Sequence, residues 1–478
     1  LKMDTVNSRI LHSLVFAGIL FVVLITSLTW FELRGKNDIM GNAYNKRMIA
    51  AEEEILRGSI IDRGSEILAE TIASEASNIR NYPQKRLYAH IIGYHSSIYG
   101  KTLLEAKYNS ELLGKSNLEF LSVFKKMLSK DVAQGYNLRL TLSHTLQTVA
   151  REQLGDRHGA VVALDPRTGE ILAMVSTPDF NPNASSLEEN WKSLIENENS
   201  PLLPRATMGL YPAGSIFKVV TAAAALETGN GDYMTNDQGT TVIDGMTFSN
   251  AGQKARGDIG LHQAMTVSSN VYFAELSQKI GAGALIAKAK DAGITKSFDF
   301  DLPRTDSRIG DSGMGKTELA ATAIGQGKLL VSPLQMAMLA AGVANGGEIM
   351  QPYLVKTVEN AGGEVLRETD PESLYKWVTP ETAELLKEMM VSVVEEGTGT
   401  KAQISGVRVA GKTGTAQNEK STESDSKDHA WFIGFAPAEA PRIAVAVLLE
   451  YRGEGGGRAA APVAAKVMST WLKMTATN

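Results

Sequence analysis

Ser215 and Lys218 stand three residues apart, which on a helix puts them on one face, a turn from each other. A serine hydroxyl attacks poorly until its proton is removed. A lysine that is desolvated, or close to another cation, becomes neutral enough to remove it, so the pair can form an activated nucleophile. The same spacing recurs at Ser122 with Lys125, Ser373 with Lys376 and Ser424 with Lys427, which makes the pattern weak by itself. Context separates Ser215. It follows Tyr211-Pro212-Ala213-Gly214 and opens the apolar run SIFKVVTAAAAL, which buries the lysine stem and puts the serine N–H at a helix N-terminus. Ser268-Ser269-Asn270 is the only Ser-x-Asn in the chain, a pairing whose hydroxyl can relay a proton while its amide grips a peptide group. Taken singly it reads as a turn or helix cap. Lys412-Thr413-Gly414-Thr415 holds the only Lys-Thr-Gly. On a strand, Lys412 and Gly414 face one way and Thr413 and Thr415 the other, and Gly414 lets a substrate backbone lie close. Taken singly it is a strand with a turn-prone end.

The elements that must position these residues are partly readable. Ser215 to Leu226 is apolar almost all round, as in a helix buried at a domain centre. Gly159 to Asp165 and Glu170 to Ser176 are apolar runs joined by Pro166-Arg167-Thr168-Gly169, a hairpin signal. Val407 and Val409 lead into AGKTGTAQ, and His429–Ala436 and Ile443–Glu450 read as adjacent antiparallel strands. Ala459 to Met474, with Pro462 in its first turn, closes the chain as a helix. Helices before and after a late run of strands predict an α+β domain, with helices against an antiparallel sheet. Two polar stretches, Thr228–Gly245 and Asn418–Asp428, are expected to be solvated loops. Upstream, Asp38–Leu56 has helical composition, Arg57–Gly64 alternates as a short strand does, and mixed character continues to about Tyr136. Asn137–Leu142 then alternates again, and Thr145–Leu154 has helical spacing.

Composition narrows the function. The formal net charge of the 478 residues is -5, with no concentrated basic stripe, so nothing gathers phosphate backbones and no nucleic acid partner is expected. The absence of cysteine removes disulfides, thiolate nucleophiles and cysteine metal sites. Ile10 to Phe31 is uncharged and largely apolar, near the roughly 20 residues that cross a bilayer as a helix. Its exit, Leu28-Thr29-Trp30-Phe31-Glu32, is bulky where a cleaved leader would be small, which favours a retained anchor. Lys2 and Arg9 before it nearly balance Arg34 and Lys36 after it, so the charges orient it weakly.

Together the three patterns, in the order Ser-x-x-Lys, Ser-x-Asn, Lys-Thr-Gly, are the motif set of β-lactamases and penicillin-binding proteins. The chain resembles the monofunctional, class B penicillin-binding proteins over nearly all of residues 57 to 470. The likeness is carried by RGSIIDRGSEILAET, GAVVALDPRTGEILAMVSTPDFNPN, IGQGKLLVSPLQMA, AGKTGTAQ and HAWFIGFAP. It implies a cytoplasmic tail at 1–9, a single-pass anchor at 10–31, a small non-catalytic pedestal of mixed α and β structure at 32–140, and an extracytoplasmic transpeptidase domain of the serine β-lactamase-like fold at 141–478. It also implies that Lys218 takes the Ser215 proton as the hydroxyl attacks the penultimate D-alanine carbonyl of a peptidoglycan stem peptide. Ser268 passes a proton to the leaving D-alanine, and the N–H groups of Ser215 and Thr415 form the oxyanion hole. Asn270 holds the peptide amide, Lys412, Thr413 and Thr415 hold the substrate carboxylate, and Gly414 gives access to the strand. β-Lactams would acylate the same serine, and no metal or organic cofactor is needed. Implied partners are a SEDS-type glycan polymerase and divisome proteins, the short pedestal resembling small division-associated members. The family's Asn-Arg before the nucleophile is here Pro204-Arg205, which puts a local loop contact in doubt. Alternatives are a serine β-lactamase or D,D-carboxypeptidase, or, in another class, a β-lactam sensor or divisome scaffold.

Overall fold

The computed structural model describes residues 2–30, 55–73, 78–114, 134–421 and 427–476. Most of the expected helix at Asp38–Leu56, and residues 422–426 of the second polar stretch, lie outside them. The centre is an antiparallel five-stranded sheet in the order Ala410–Ala416, His429–Ala436, Ile443–Leu449, Gly159–Leu164, Ile171–Thr177. The hairpin and the two late strands stand where periodicity put them. Their sequences GAVVAL, HAWFIGFA and IAVAVLL lack polar alternation because both faces of the sheet are covered. Val161, Ala163, Val445 and Val447 face one core with Leu146, Ala150 and Leu154 of helix His144–Leu154 and Val463, Val467 and Trp471 of helix Ala461–Ala476. Ala160, Val162, Ala446 and Leu448 face the other, with Met336 and Ala340 of the apolar helix Pro333–Ala344 and the buried residues of Lys218–Glu227. The fold is thus the expected α+β arrangement.

A second sheet of six strands runs in the order Val365–Glu368, Val355–Glu359, Asn137–Leu140, Ile60–Ile61, Ile67–Ile72, Ile79–Asn81. Its first two strands come from far downstream of residue 140, so the pedestal sheet is built from both sides of that position. Arg139 ties the seam through Glu359, at 2.7 Å. Beneath the sheet Glu105 is fully buried between Arg57 (2.6 Å) and Arg80 (2.7 Å). Burial raises its carboxyl, but the two guanidinium groups outweigh this and hold it down to about 2.

Thr228–Gly245 is not the loop expected. Met234–Asp237 pairs with Gly257–Gly260, and Thr240–Ile243 pairs with Met246–Ser249 across Asp244-Gly245, both at positive φ. Asp-Gly between short alternating runs makes a two-residue hairpin turn, so the polar residues around it lie on strands rather than in a loop. At the N-terminus Lys2–Trp30 is one helix, and its stretch Ile10–Ser27, with mean hydropathy 2.4, is long and apolar enough to cross a membrane. It fits a single-pass anchor.

Candidate active site

Ser215 lies in a 3₁₀ turn, Gly214–Phe217, that leads into the helix Lys218–Glu227, so the expected helix begins one tight turn earlier than its α-helical part. Gly214 has φ +56, and its N–H donates to Gly325 O at 2.8 Å. A Cβ at Gly214 would stand 2.4 Å from Thr415 O, and one at Gly325 would stand 1.9 Å from Gly214 O. Only glycines let these three backbones meet, and their meeting carries the half-buried Ser215 to the edge strand Ala410–Ala416.

Lys218 is fully buried, and its Nζ donates to Asn270 Oδ1 (2.7 Å), Ser268 O (2.9 Å) and Ser268 Oγ (3.3 Å). Burial, and then the like charge of Lys412, push its ammonium well below the ordinary lysine value, against the opposing pull of Asp237. Lys412, also fully buried, donates to Ser268 Oγ (2.9 Å) and Thr413 O (3.1 Å), and burial brings it down to about 7. One serine oxygen thus sits between two lysines from different elements. Ser268 reaches it from a left-handed position (φ 59, ψ 45) that ends the helix Leu261–Val267, while Ser269 caps the next helix, Asn270–Ile280. The turn and cap readings of Ser-x-Asn and its convergence on a lysine are both present.

The strand alternates as expected. Lys412 points to Ser268, and a Cβ on Gly414 would meet Ile216, Trp431 and Ala213. On the other face Thr413 Oγ1 lies 2.6 Å from Thr398 Oγ1, and Thr415 is exposed. Asn270 has a part beyond the expected one, since both ends of its amide are engaged within the chain: Oδ1 accepts from Lys218, and Nδ2 donates to Ser249 O at 2.8 Å. Of the competing pairs, Ser373 and Lys376 lie exposed on a short strand, while Ser122, Lys125 and Ser424 fall outside the described residues. Pro204-Arg205 keeps its loop in order: buried Arg205 donates to Glu450 Oε1 (2.8 Å) and to Ser200 O (3.0 Å) and Asn199 O (2.6 Å). Tyr211, four residues before Ser215, donates to the same Glu450 oxygen at 2.6 Å. Among the described residues no group of three or more His, Asp or Glu is arranged to hold a metal ion.

The family model of the penicillin binding protein transpeptidase domain matches residues 159–469, which contain all three motifs. The chain belongs to the penicillin-binding protein transpeptidase family. A second model, the penicillin binding protein A dimerisation domain, matches residues 57–138. Within this family of transpeptidases, the peptidoglycan D,D-transpeptidase PbpA of Mycolicibacterium smegmatis is 32% identical, over 98% of this chain and 99% of its own length. Peptidoglycan D,D-transpeptidase MrdA of Acinetobacter baumannii is 32% identical over 83% of this chain and 66% of its own. In structure, penicillin-binding protein A from M. tuberculosis, solved as a ceftriaxone acyl-enzyme complex, superposes with a TM-score of 0.83. It is 32% identical and covers 88% of this chain and 99% of its own. The D,D-transpeptidase domain of a peptidoglycan glycosyltransferase from Eggerthella lenta superposes with a TM-score of 0.79 at 34% identity, over 89% of this chain and all of its own.

Residues that the motifs did not point to support the motif residues from behind and from the side. Asp237, Asn250 and Ser269 form a buried cluster behind Ser268 and Asn270. Thr398 and the glycines at 455–457 flank the Lys-Thr-Gly strand: a Cβ on Gly456 would stand 2.4 Å from Gly414 O. The two glycine-rich stretches, GTGT at 397–400 and GEGGG at 453–457, were the legible signal for close backbone approach.

Proposed function

We propose that this chain is a membrane-anchored peptidoglycan D,D-transpeptidase working through an acyl-enzyme on Ser215. The observation that carries the reading is Ser268 Oγ held between Lys218 and Lys412, with Lys218 itself one tight turn along the chain from the half-buried Ser215. A neutral Lys218 has two N–H bonds and one lone pair. With the N–H bonds on Asn270 Oδ1 and Ser268 O, the lone pair is left for the Ser215 proton.

Ser215 Oγ attacks the penultimate D-alanine carbonyl as its proton passes to Lys218. The N–H groups of Ser215 and Thr415 stabilise the oxyanion, a contribution of about 3 to 4 kcal/mol per donor in related chemistry. When the C–N bond breaks, Ser268 Oγ takes a proton from Lys218 as it gives its own to the departing D-alanine amine, the Lys412 hydrogen bond holding the oxygen in place. A neighbouring stem peptide's amine then attacks the Ser215 ester. The new amide forms, the C–O bond breaks, and the proton lost by the amine returns to Ser215 Oγ. Lys412, Thr413 and Thr415 hold the terminal carboxylate along the edge strand, while Gly414, where a Cβ would meet Ile216 and Ala213 O, lets the Ser215 turn pack against that strand. Asn270 orients Lys218, and sharing its amide with the substrate peptide group requires it to exchange one internal bond.

The Ile10–Ser27 helix supports a single-pass anchor with the transpeptidase domain outside the cytoplasmic membrane, the only side where peptidoglycan lies. The pedestal offers the surface for a SEDS-type glycan polymerase and divisome proteins, with cell division as the setting. Relatives named as transpeptidases at 32% identity favour this reading over a β-lactamase or D,D-carboxypeptidase, which pass the acyl group to water. The full-length protein in detergent, labelled with fluorescent penicillin, tests it. A stable adduct on Ser215 by peptide mass spectrometry, absent in Ser215→Ala, is expected, along with cross-linked product when a stem-peptide amine is supplied. Penicillin hydrolysed without an adduct would point to a β-lactamase, and neither adduct nor hydrolysis would point to a scaffold.

A further inference from the structure

Behind the loop that carries Ser268 and Asn270 lies a carboxylate with no access to the cleft. Asp237 ends the strand Met234–Asp237 and is fully buried. Its oxygens accept from Gly239 N–H (2.8 Å), from Asn250 Nδ2 (2.8 Å to each oxygen) and from Ser269 Oγ (2.6 Å). Asn250, 5% exposed, turns its own Oδ1 to the N–H groups of Asn270 (2.8 Å) and Val271 (3.2 Å), and its Nδ2 also donates to Lys254 O (3.0 Å). Ser269 Oγ, besides donating to Asp237, accepts from Tyr272 N–H at 3.0 Å. Next door, Asn270 Nδ2 is pinned to Ser249 O. The Ser269 hydroxyl, the Asn270 N–H and the Asn270 side-chain nitrogen are therefore tied to the two strand ribbons of residues 234–260, while the Ser268 and Ser269 N–H groups donate back to Met265 O and Ala264 O of the preceding helix. Asn270 Oδ1 and the Ser268 carbonyl are the acceptors closest to Lys218 Nζ.

We propose that Asp237, acting through Ser269 and Asn250, is a positioning residue for acylation: it holds the Ser268–Asn270 loop against Lys218 and sets the charge under which that lysine works. The charged groups facing Lys218 are two. Lys412 comes from the edge strand and disfavours its protonated form, while Asp237 comes from the ribbon and favours it. The remaining neighbours, Ser268, Asn270 and the Phe273 ring at 5.6 Å, are neutral. A buried carboxylate accepting four bonds cannot be exchanged for an amide without setting like against like, because the amide introduced by Asp237→Asn would turn an N–H group toward Asn250 Nδ2 or Gly239 N–H.

This inference rests on Ser215 and Lys218 acting as nucleophile and base. The test is the acylation rate of full-length protein at saturating penicillin, followed as a function of pH, for wild type, Asp237→Asn, and the exchange pair Asp237→Asn with Asn250→Asp. Asp237→Asn is expected to slow acylation about 100-fold, as a misplacement of about 1 Å does. It should also move the acidic limb about one pH unit lower, because Lys218 loses its stabilising anion. The exchange pair restores a carboxylate facing an amide and should recover part of the rate. Should Asp237→Asn fail to fold, Ser269→Ala, which cuts the tie to the loop and the cap on Tyr272 N–H but leaves the carboxylate in place, should slow acylation about 10-fold with the limb in place. Wild-type rates in either single variant would overturn the proposal, as would a slowed Asp237→Asn whose limb has not moved. A wild-type protein that takes no penicillin would instead overturn the underlying assignment of Ser215.

Discussion

Replacing Lys412 with methionine keeps the stem and removes the charge, which makes it a direct probe of the paired lysines. Lys218 and Lys412 both bond Ser268 Oγ, at 3.3 and 2.9 Å, so their nitrogens are no more than about 6 Å apart. Two unit charges at that separation repel by about 3 kcal/mol at an effective dielectric constant of about 20, equivalent to about two pH units. Lys412 is itself held down to about 7 by burial, so it carries its charge mainly below that pH and depresses Lys218 there. Lys218 must be neutral to take the Ser215 proton. In Lys412→Met it keeps its own proton to higher pH, and the acidic limb of acylation moves up by as much as about two units. The rate on that limb falls by up to about 100-fold. Stopped-flow acylation by a chromogenic penicillin, extrapolated to saturation at each pH, isolates this from weakened carboxylate binding. The shift is opposite in sign to that of Asp237→Asn. A limb that stays in place or moves down would refute the electrostatic coupling and reduce Lys412 to a carboxylate anchor.

Glu105→Gln leaves Arg57 and Arg80 buried without a counter-charge and should cost about 3 to 5 kcal/mol in urea unfolding, with penicillin uptake per folded molecule unchanged; an unmoved midpoint would count against it. Because the folded carboxyl is held down to about 2, its stabilisation is complete above the ordinary glutamate value and is lost as pH falls toward 2, a slope the variant should lack. Gly325→Ala places a Cβ 1.9 Å from Gly214 O at φ +84, so Ser215 must shift and acylation should drop about 100-fold. Circular dichroism separates that loss from misfolding, and wild-type acylation in this variant would show that the Gly214–Gly325 contact does not set Ser215.

Much of the fold was legible because its signals are local. The Gly159–Leu164 and Ile171–Thr177 hairpin follows from two apolar runs around a Pro-Gly turn, and the buried helix after Ser215 from its run of valine and alanine, interrupted only by Thr221. The Thr240–Ser249 hairpin carried an equally local signal, Asp244-Gly245, that the surrounding polar residues masked. The hold of Asn270 on Lys218 was hidden for a different reason: the two lie 52 residues apart, and residue type cannot tell an amide that grips a substrate from one that orients a base.

What the sequence by itself determined is the chemistry available and its order along the chain: a serine with a lysine one turn on, a second serine with an asparagine, and a lysine on a strand two residues before a glycine. Helix and strand periods, turn residues and the apolar N-terminal stretch depend on neighbours a few positions apart, and a linear reading sees those. Only the tertiary structure decided that strands from 355–368 complete the pedestal sheet, that Asp237 stands behind Ser269, and that two lysines 194 residues apart share one hydroxyl. These are long-range pairings chosen by burial. A charge enters the core only where distant groups supply its bonds, and no local pattern records which distant groups those will be.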